Sequence, residues 1–360
     1  MKKIGVVGGG QLGQMLALAG IPLGLEFIFL EPSADACAAR LGRQIAAEYD
    51  DIEGLERLAV ETDLVTFEFE NFPVQAARHL ATLTDLAPGV RALDVAQDRL
   101  NEKTLFRELD IPVADFAAID SQGDLDKAVT RLGLPAVLKT RRLGYDGKGQ
   151  KVLRTRADAE GAFEELGAVP LILESFVPFN RELSLIAVRG RDGECRFYPV
   201  AENIHINGIL HLSRPRLHDF MQEQAQTHAR RVLESLDYVG ALGFEFFQVD
   251  DYLLANEIAP RVHNTGHWTI EGAVTSQFEN HLRAVLGLPL GATAALAHAA
   301  MVNFIGEMPA IEPVLHLPGA RWHDYHKDPR PGRKVGHVTL LSDSPRRLEQ
   351  QIAQVEALMR

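Results

Sequence analysis

The apolar positions of the first hundred residues alternate between short continuous runs and a helical period. KIGVVG and LEFIFLE have the length of buried strands, and the apolar residues of QLGQMLALAGIPLG between them recur at helical spacing. LVTFEFENFP predicts a further strand with polar residues at its carboxyl end. Strand, helix and strand in this order are typical of parallel pairing, so we assign residues 1–95 to one α/β domain.

The pattern changes over residues 96–178. LDVAQDRLNEKTLFRELDIP predicts one helix that ends before Pro112 and leads out of the first domain. PAVLKT predicts a strand, RRLGYDGKGQKVLR a glycine-rich turn between two strands, RADAEGAFEEL a helix and VPLILESFV another strand. These elements predict a small α+β lid.

Residues 179–360 mix strands with helices. ELSLIAVRG predicts a strand, QEQAQTHARRVLESLDY a helix, and GALGFEFFQVDDYLLANEIAPR a β-hairpin. The tail, HVTLLSDSPRRLEQQIAQVEALM, predicts a strand and a closing helix. We assign these residues to a C-terminal domain that ends in a β-rich, substrate-binding segment.

Composition narrows the functional classes. The net charge of −12 argues against a general nucleic-acid binder, so an anionic ligand needs a local cluster of Arg and Lys. Cys37 and Cys195 are the only cysteines and have no metal or redox spacing, which fits a reducing compartment. The N-terminal apolar run is interrupted by glycines and predicts a strand, not a signal peptide. We expect a soluble cytoplasmic protein with neither nucleic acid nor membrane as partner.

The glycine turn near the N-terminus is the first candidate for chemistry. Gly8, Gly10 and Gly13 satisfy G-x-G-x-x-G, and Glu31 stands where a ribose ligand of a dinucleotide would lie. A phosphate could approach the backbone there, at a helix N-terminus. The alternative is that the glycines only allow strand and helix to pack closely. The first domain is also short for a complete dinucleotide-binding fold.

A second glycine-rich segment, LKTRRLGYDGKGQ, follows an apolar strand. Lys139 ends the strand, and Gly144, Gly147 and Gly149 surround Lys148. Exposed N–H groups and lysines on such a turn can close over a polyphosphate, although the segment is not a P-loop. An ordinary hairpin with a solvated lysine remains the alternative.

The predicted hairpin carries Glu245 and Glu257 within apolar strands, where unpaired carboxylates are costly. A two-residue loop would pair Val249 with Tyr252 and put the glutamates on opposite faces. A three-residue loop would pair Val249 with Leu253 and put Glu245 opposite Glu257. Such a like-charged pair repels unless a cation lies between them, and Mg²⁺ prefers carboxylates together with substrate phosphates. Solvated edge positions remain the alternative.

Two polar clusters complete the candidate site. APRVHNTGHWT places Arg261 and His263 directly after Glu257, in a run that suits a small anion. The segment WHDYHKDPRPGRKVGHVTLL holds the basic residues Lys327, Arg330, Arg333 and Lys334. A phosphate monoester is a natural ligand for this basic cluster, and a solvated basic loop is the alternative.

In this order the motifs resemble the ATP-grasp superfamily. GGGQLGQML, GYDGKGQ, NEIAPRVHNTGHWT and RPGRKVGH closely resemble the N5-carboxyaminoimidazole ribonucleotide synthetase family of purine biosynthesis, over essentially the whole chain. The resemblance implies a mixed α/β and α+β fold, with an N-terminal Rossmann-like (pre-ATP-grasp) domain, a lid and a C-terminal ATP-grasp domain. It implies a carbon–nitrogen ligase that joins bicarbonate to 5-aminoimidazole ribonucleotide through carboxyphosphate.

The resemblance also implies roles for individual residues. The catalytic positions it implies are Asp146, Arg261, His263 and Lys327. The implied ATP-binding positions are Arg99, Lys139, Gly144, Tyr145, Asp146, Gly147, Lys148, Gly149, Glu174, Ser175, Phe176, Val177, Glu182, His205, Asn256 and Glu257. The implied ribonucleotide-binding positions are Gln11, Leu12, Tyr145, Arg261, Lys327 and Arg333. Glu245 and Glu257 would bind Mg²⁺, expected as two ions, and the protein would be a homodimer.

One departure and three competing functions remain. Many superfamily members have Asn two residues after the second glutamate, where this chain has Ala259.

A dinucleotide-dependent oxidoreductase would explain the first glycine turn but none of the later motifs. A formate-dependent ribonucleotide transformylase shares the APR-x-H signature and is the nearer alternative. A silent nucleotide-binding module would not need Lys139 with both glutamates. Under the ligase hypothesis Glu31 is an ordinary acid at the end of a strand.

Overall fold

A computed structural model describes residues 2–144 and 149–359. Its N-terminal part is a parallel sheet of order β3-β2-β1-β4, flanked by helices. The elements in chain order are β1 Lys3–Val7, α1 Gln11–Gly20, β2 Glu26–Leu30, β3 Arg43–Ile45, α2 Ile52–Glu61, β4 Leu64–Phe67, α3 Val74–Leu83, α4 Val90–Ala96 and α5 Arg99–Glu108. The predicted order of strand, glycine turn, helix and strand is confirmed.

The lid is an antiparallel sheet of order β5-β8-β6-β7 with helices on one side. Its elements are β5 Phe116–Ile119, α6 Gln122–Leu132, β6 Ala136–Thr140, β7 Gln150–Leu153, α7 Arg156–Ala159, α8 Ala162–Glu165 and β8 Leu171–Ser175. The helix predicted for RADAEGAFEEL is divided in two, because Gly161 adopts a left-handed conformation between α7 and α8.

The C-terminal part is a large sheet of order β14-β13-β9-β11-β12-β15-β17-β16, with β10 beside β9. Its strands are β9 Arg181–Arg189, β10 Cys195–Phe197, β11 Ala201–Ile206, β12 Ile209–Pro215, β13 Gly240–Val249, β14 Tyr252–Ala259, β15 His298–Ile305, β16 Ala320–Asp324 and β17 Lys334–Ser342. Its helices are α9 Gln222–Ser235, α10 Thr269–Gly272, α11 Gln277–Val285, α12 Ile311–Leu315 and α13 Pro345–Leu358.

The helix predicted across residues 93–111 is two helices. Asp98 lies between α4 and α5 and caps α5 by accepting a hydrogen bond from the Leu100 N–H at 3.0 Å. The same carboxylate accepts hydrogen bonds from Arg141 at 2.9 and 2.7 Å. Because Asp98 caps α5, the chain forms two helices although the apolar residues continue at helical spacing. The ion pair between Asp98 and Arg141 also connects the lid to the start of α5.

The N-terminal and C-terminal parts share one core. Ile4 and Leu16 belong to the same buried cluster as Trp268, Phe278 and Leu282. Helix α1 packs against α11 at this junction. The two parts are therefore packed against each other through this shared core.

A buried histidine joins the same two parts. His281 Nε2 lies 2.9 Å from Thr66 Oγ1, and its Nδ1 accepts a hydrogen bond from Ala241 N–H at 3.1 Å. Burial lowers the pKa of His281 to about 4, so the ring is neutral at pH 7.

Among the described residues, no helix is both long and apolar enough to cross a bilayer.

Candidate active site

All three parts of the chain border one cleft of about 1040 Å³. Fourteen of the predicted site residues line it: Gln11, Leu12, Arg99, Lys139, Gly144, Glu182, His205, Glu245, Asn256, Glu257, Arg261, His263, Lys327 and Arg333. Motifs that are far apart in the sequence therefore meet in one place.

The remaining predicted site residues that the structure describes do not appear in the cleft lining. Of the described residues, Gly149, Glu174, Ser175, Phe176 and Val177 are not part of its lining. The predicted contacts Tyr145, Asp146, Gly147 and Lys148 lie outside the described residues. Their assigned roles stay predictions.

The hairpin of β13 and β14 combines features of both predicted registers. Its loop has two residues, since Val249 pairs with Tyr252, yet Glu245 lies opposite Glu257. A β-bulge accounts for this, because Phe246 pairs with Ala255 and leaves Asn256 as the extra residue. The expectation that a two-residue loop separates the glutamates is therefore wrong.

Helix α5 holds the bulge in place. Glu102 accepts a hydrogen bond from Ile258 N–H at 2.7 Å, and Lys103 Nζ donates to Asn256 O at 2.7 Å. Both side chains are at least 98% buried. The backbone of β14 is thus fixed by two side chains of α5, while Glu245, Asn256 and Glu257 all line the cleft.

The paired glutamates differ in their electrostatic surroundings. Burial raises the pKa of Glu245, and the neighbouring Glu257 charge raises it further, to about 7. Burial opposes ionisation of Glu257 as well, but Arg99, whose Nη1 lies 2.9 Å from Glu257 Oε2, lowers its pKa to about 2. Glu245 and Glu257 repel each other when both are ionised, and a cation between them would remove that repulsion. Two carboxylates at a cleft fit Mg²⁺, whose further ligands are substrate phosphates and water.

Arg261 is held by a carboxylate from the N-terminal part. Its Nε donates to Glu70, and its Nη1 donates to Val262 O at 3.0 Å. Burial opposes the charge on Glu70, but Arg261 holds its pKa below the ordinary value. The guanidinium is thereby fixed with its remaining donors at the cleft.

His263 is next to Arg261 and is neutral. Burial, together with the Arg261 charge, lowers its pKa to about 3. Its Nδ1 lies 2.9 Å from Thr265 Oγ1 and its Nε2 lies 3.7 Å from Glu245 Oε1. The ring is oriented toward the glutamate pair.

Lys139 projects from the lid at the end of β6. Its Nζ donates to Glu174 Oε2 at 2.9 Å, and Lys103 Nζ lies 3.6 Å from the same oxygen. Burial would raise the pKa of Glu174, but the two lysines lower it to about 2. In this arrangement Glu174 fixes the position of Lys139.

Glu182 and His205 form an ion pair across neighbouring strands β9 and β11. Burial disfavours the charged ring of His205, but Glu182 raises its pKa above the ordinary value. The pair lines the cleft on the side of the large sheet.

The opposite end of the cleft is basic. Lys327 Nζ donates to Gln11 Oε1 at the start of α1. Arg330 and Arg333 line the same end. A cationic cluster thus lies against a helix N-terminus, an arrangement that favours phosphate.

Several functional residues are absent from the sequence predictions. Glu68 and Glu70 belong to the FEFEN segment, whose polar residues at a strand end were the available signal. Glu102 and Lys103 had no such signal in the sequence, because charged residues within a predicted amphipathic helix are normally exposed. Glu31 is also more than an ordinary strand-end acid, since it is 8% exposed and accepts a hydrogen bond from Gly9 N–H at 2.9 Å.

Three family models match the chain. The ribonucleotide synthetase preATP-grasp domain matches residues 1–97, the ATP-grasp domain residues 104–278, and the phosphoribosylaminoimidazole carboxylase C-terminal domain residues 299–351. The fold is therefore an ATP-grasp fold preceded by a pre-ATP-grasp domain, as the motifs indicated.

The chain is 58% identical to N5-carboxyaminoimidazole ribonucleotide synthase of Pseudomonas aeruginosa, over 99% of each chain. The crystal structure of the corresponding synthetase from Thermus thermophilus matches with a TM-score of 0.95 and 55% identity, over 99% of this chain and 98% of that one.

A structure of the Aspergillus clavatus synthase in complex with ADP and 5-aminoimidazole ribonucleotide matches with a TM-score of 0.91 and 30% identity, over 99% of this chain and 98% of that one. This chain belongs to the N5-carboxyaminoimidazole ribonucleotide synthase family, whose members are ATP-grasp ligases.

Proposed function

We propose that this protein carboxylates the exocyclic amine of 5-aminoimidazole ribonucleotide, with ATP and bicarbonate, and so serves purine biosynthesis. The observation that carries the proposal is the single cleft that joins the Glu245–Glu257 pair, Arg261 and the basic end at Lys327. The Aspergillus clavatus relative, which has the same fold, binds ADP and this ribonucleotide.

ATP is assigned to the side of the cleft between the lid and β14. Lys139 and Arg99 are two of the cations that line the cleft, and the loop around Gly144 and Gly149 is the assigned cover of the phosphates. Glu245 and Glu257 would hold Mg²⁺, which supplies positive charge to the β- and γ-phosphates when bound. We also assign the adenosine contacts to Glu174–Val177 and to Glu182, His205 and Asn256.

The first step activates bicarbonate. A bicarbonate oxygen forms a bond to the γ-phosphorus while the bond from that phosphorus to the ADP oxygen breaks, which gives carboxyphosphate and ADP. Lys139 offsets charge that develops on the transferring phosphoryl group. Arg261, fixed by Glu70, is positioned to bind the anionic bicarbonate or carboxyphosphate, with His263 beside it.

The second step forms the carbon–nitrogen bond. The amine nitrogen attacks the carboxyl carbon of carboxyphosphate, or the CO₂ that it releases, phosphate leaves, and the nitrogen loses one proton. Asp146 and Tyr145 are assigned to the aminoimidazole. Carboxyphosphate hydrolyses readily, so a closed lid would protect it from water.

The ribonucleotide phosphate is assigned to the basic end of the cleft. Lys327, held by Gln11, and Arg333 supply the charge. The start of α1, at Gln11 and Leu12, supplies N–H groups and the positive end of a helix. This placement puts the aminoimidazole between the phosphate site and Arg261.

Isotopic labelling tests the proposal. With bicarbonate labelled with ¹³C and ¹⁸O, ATP and the ribonucleotide, we expect the ¹³C in a carbamate on the amine nitrogen and one ¹⁸O in inorganic phosphate. Products in which the phosphate has no ¹⁸O would contradict the carboxyphosphate step. Products without ¹³C would contradict carboxylation itself.

We also propose a homodimer, which rests on the resemblance. The apolar pattern and the composition carry two further proposals: domain boundaries at residues 1–95, 96–178 and 179–360, and a cytoplasmic location. The formate-dependent transformylase is not favoured, since the family model for residues 299–351 is that of phosphoribosylaminoimidazole carboxylase.

A further inference from the structure

The glycine turn that begins α1 is occupied by a carboxylate of the protein itself. Glu68 follows β4, and its side chain accepts hydrogen bonds from the backbone N–H groups of Gly10 and Gly13. The residue is 8% exposed, and its exposed part borders the cleft. A carboxyl group of the protein thus already lies at the positive end of α1, within reach of both N–H groups. Burial raises the pKa of Glu68, and the hydrogen bonds from Gly13 and Gly10 oppose that rise by stabilising the ionised form.

The fingerprint glycines make room for this carboxylate. A Cβ atom at Gly8 would lie 2.5 Å from Glu68 Cγ, and one at Gly10 would lie 2.6 Å from Glu68 Oε1. At Gly13 a Cβ atom would lie 3.3 Å from Glu68 Oε2 and equally close to Gly8 O. In a dinucleotide-binding fold, such glycines let the backbone approach a pyrophosphate. Here the group that needs the close approach is Glu68.

The remaining donors of the helix end point elsewhere. The backbone N–H groups of Gln11 and Leu12 have no acceptor among the residues that the structure describes. Both residues border the cleft, and Lys327 donates to the Gln11 side chain. The helix end therefore has two kinds of N–H donor. Those of Gly10 and Gly13 are bonded to Glu68, and those of Gln11 and Leu12 belong to residues that border the cleft.

We propose that Glu68 is the residue that sets the phosphate specificity of this turn. Its charge and volume leave space for one phosphate monoester at Gln11 and Leu12, and they exclude the second phosphate of a pyrophosphate group. The choice of the monoester as occupant rests on the proposed function. The exclusion of pyrophosphate rests on the hydrogen bonds and close contacts of Glu68 alone.

The control for this proposal is Glu31, a second buried carboxylate on the same turn. It accepts hydrogen bonds from the N–H groups of Gly9 and Ser33, at 2.9 and 3.0 Å, and from Tyr49 Oη at 2.7 Å. Unlike Glu68, it does not border the cleft within the described part of the chain. Glu31→Gln therefore perturbs the turn without opening it to a ligand.

The test is calorimetric titration of the full chain with inorganic pyrophosphate and with inorganic phosphate, in the absence of other substrates. Glu68→Ala should bind pyrophosphate at least about tenfold more tightly than the wild type, because two charge-assisted donors become available. Acetate, which refills the vacated position, should abolish that gain. Phosphate sites elsewhere in the cleft are common to all the proteins and cancel in the comparison.

A volume-preserving variant keeps the test valid if Glu68→Ala does not fold. Glu68→Gln removes the negative charge alone and should strengthen pyrophosphate binding by about threefold or more, whereas Glu31→Gln should stay within about twofold of the wild type. Equal pyrophosphate affinity in the wild type and the folded Glu68 variants would overturn the proposal, as would an equal gain in Glu31→Gln. Since no turnover is involved, failure here is separate from failure of the labelling experiment.

Discussion

The buried group at Glu174 gives a prediction whose size follows from the structure. Its carboxylate forms ion pairs with Lys139 and Lys103, whose side chains are 12% and 1% exposed. Those lysines hold the pKa of Glu174 at about 2, compared with an ordinary value of 4.5. The difference corresponds to about 3 kcal/mol in favour of the folded state at neutral pH.

Glu174→Gln should therefore lower the free energy of unfolding by about 3 kcal/mol at pH 7. The matched control is Glu165→Gln in the same lid, because Glu165 pairs with Lys151 while its side chain is 60% exposed. An exposed pair of this kind contributes less than about 1 kcal/mol. The two variants thus separate a buried ion pair from a surface pair.

Urea unfolding at several pH values measures both effects. Below about pH 4.5 the unfolded wild-type chain binds a proton at Glu174, whereas the folded protein binds it only near pH 2. The advantage of the wild type over Glu174→Gln should therefore shrink as the pH falls from 4.5 toward 2. Equal stabilities of the Glu174 and Glu165 variants at pH 7 would show that the buried ion pairs do not stabilise the fold, and a difference that is independent of pH would show that the Glu174 charge is not the cause.

Further predictions concern the cleft and the junction beneath it. Glu257→Gln should lower kcat at least about 100-fold while circular dichroism shows an unchanged fold, since one carboxylate of the Mg²⁺ site is lost; near-wild-type turnover would remove it from that site. Lys327→Met should raise the KM of the ribonucleotide by about 10- to 100-fold and leave that of ATP nearly unchanged, because a charge-assisted hydrogen bond to phosphate is removed; a change in the KM of ATP alone would contradict the assignment. Arg261→Lys should lower kcat/KM by about tenfold or more at unchanged melting temperature, since lysine cannot hold Glu70 and a substrate at once; unchanged kinetics would count against it. For His281 the pKa falls from 6.5 to about 4 on burial, so the wild type should lose about 3 kcal/mol more stability than His281→Asn as the pH falls from 6.5 to 4; parallel pH profiles would contradict this.

Much of the fold could be predicted because its signals are local. The strand runs, the glycine turn and the hairpin are each encoded within about twenty residues. The break between α4 and α5 at Asp98 could not be predicted, because its cause is not local in sequence. The partner that breaks the helical period there is Arg141, which lies 43 residues away in sequence.

The residue types of the site could be predicted from the sequence, but the contacts that these residues make with one another could not. The positions of Glu245 and Glu257 suggested a metal site, yet the bulge at Asn256 that brings them together has no sequence signal of its own. Glu70 and Arg261 are 191 residues apart, and only the folded chain shows that they pair. Contacts between separate domains depend on packing, which periodicity does not encode.

The glycine turn shows how one motif can serve two purposes. Its spacing matches a dinucleotide fingerprint, and the physical requirement for close approach is real. What approaches is the Glu68 side chain, and the proposed phosphate position lies beside it, at Gln11 and Leu12.

The proposed function makes bicarbonate the co-substrate of an ATP-dependent ligase acting on 5-aminoimidazole ribonucleotide. The direct measurement is the rate of ADP release with the ribonucleotide present, in degassed buffer, with bicarbonate or formate added. We expect release that requires the ribonucleotide and rises with bicarbonate to saturation, with no response to formate. ADP release that ignores bicarbonate and responds to formate would contradict the account.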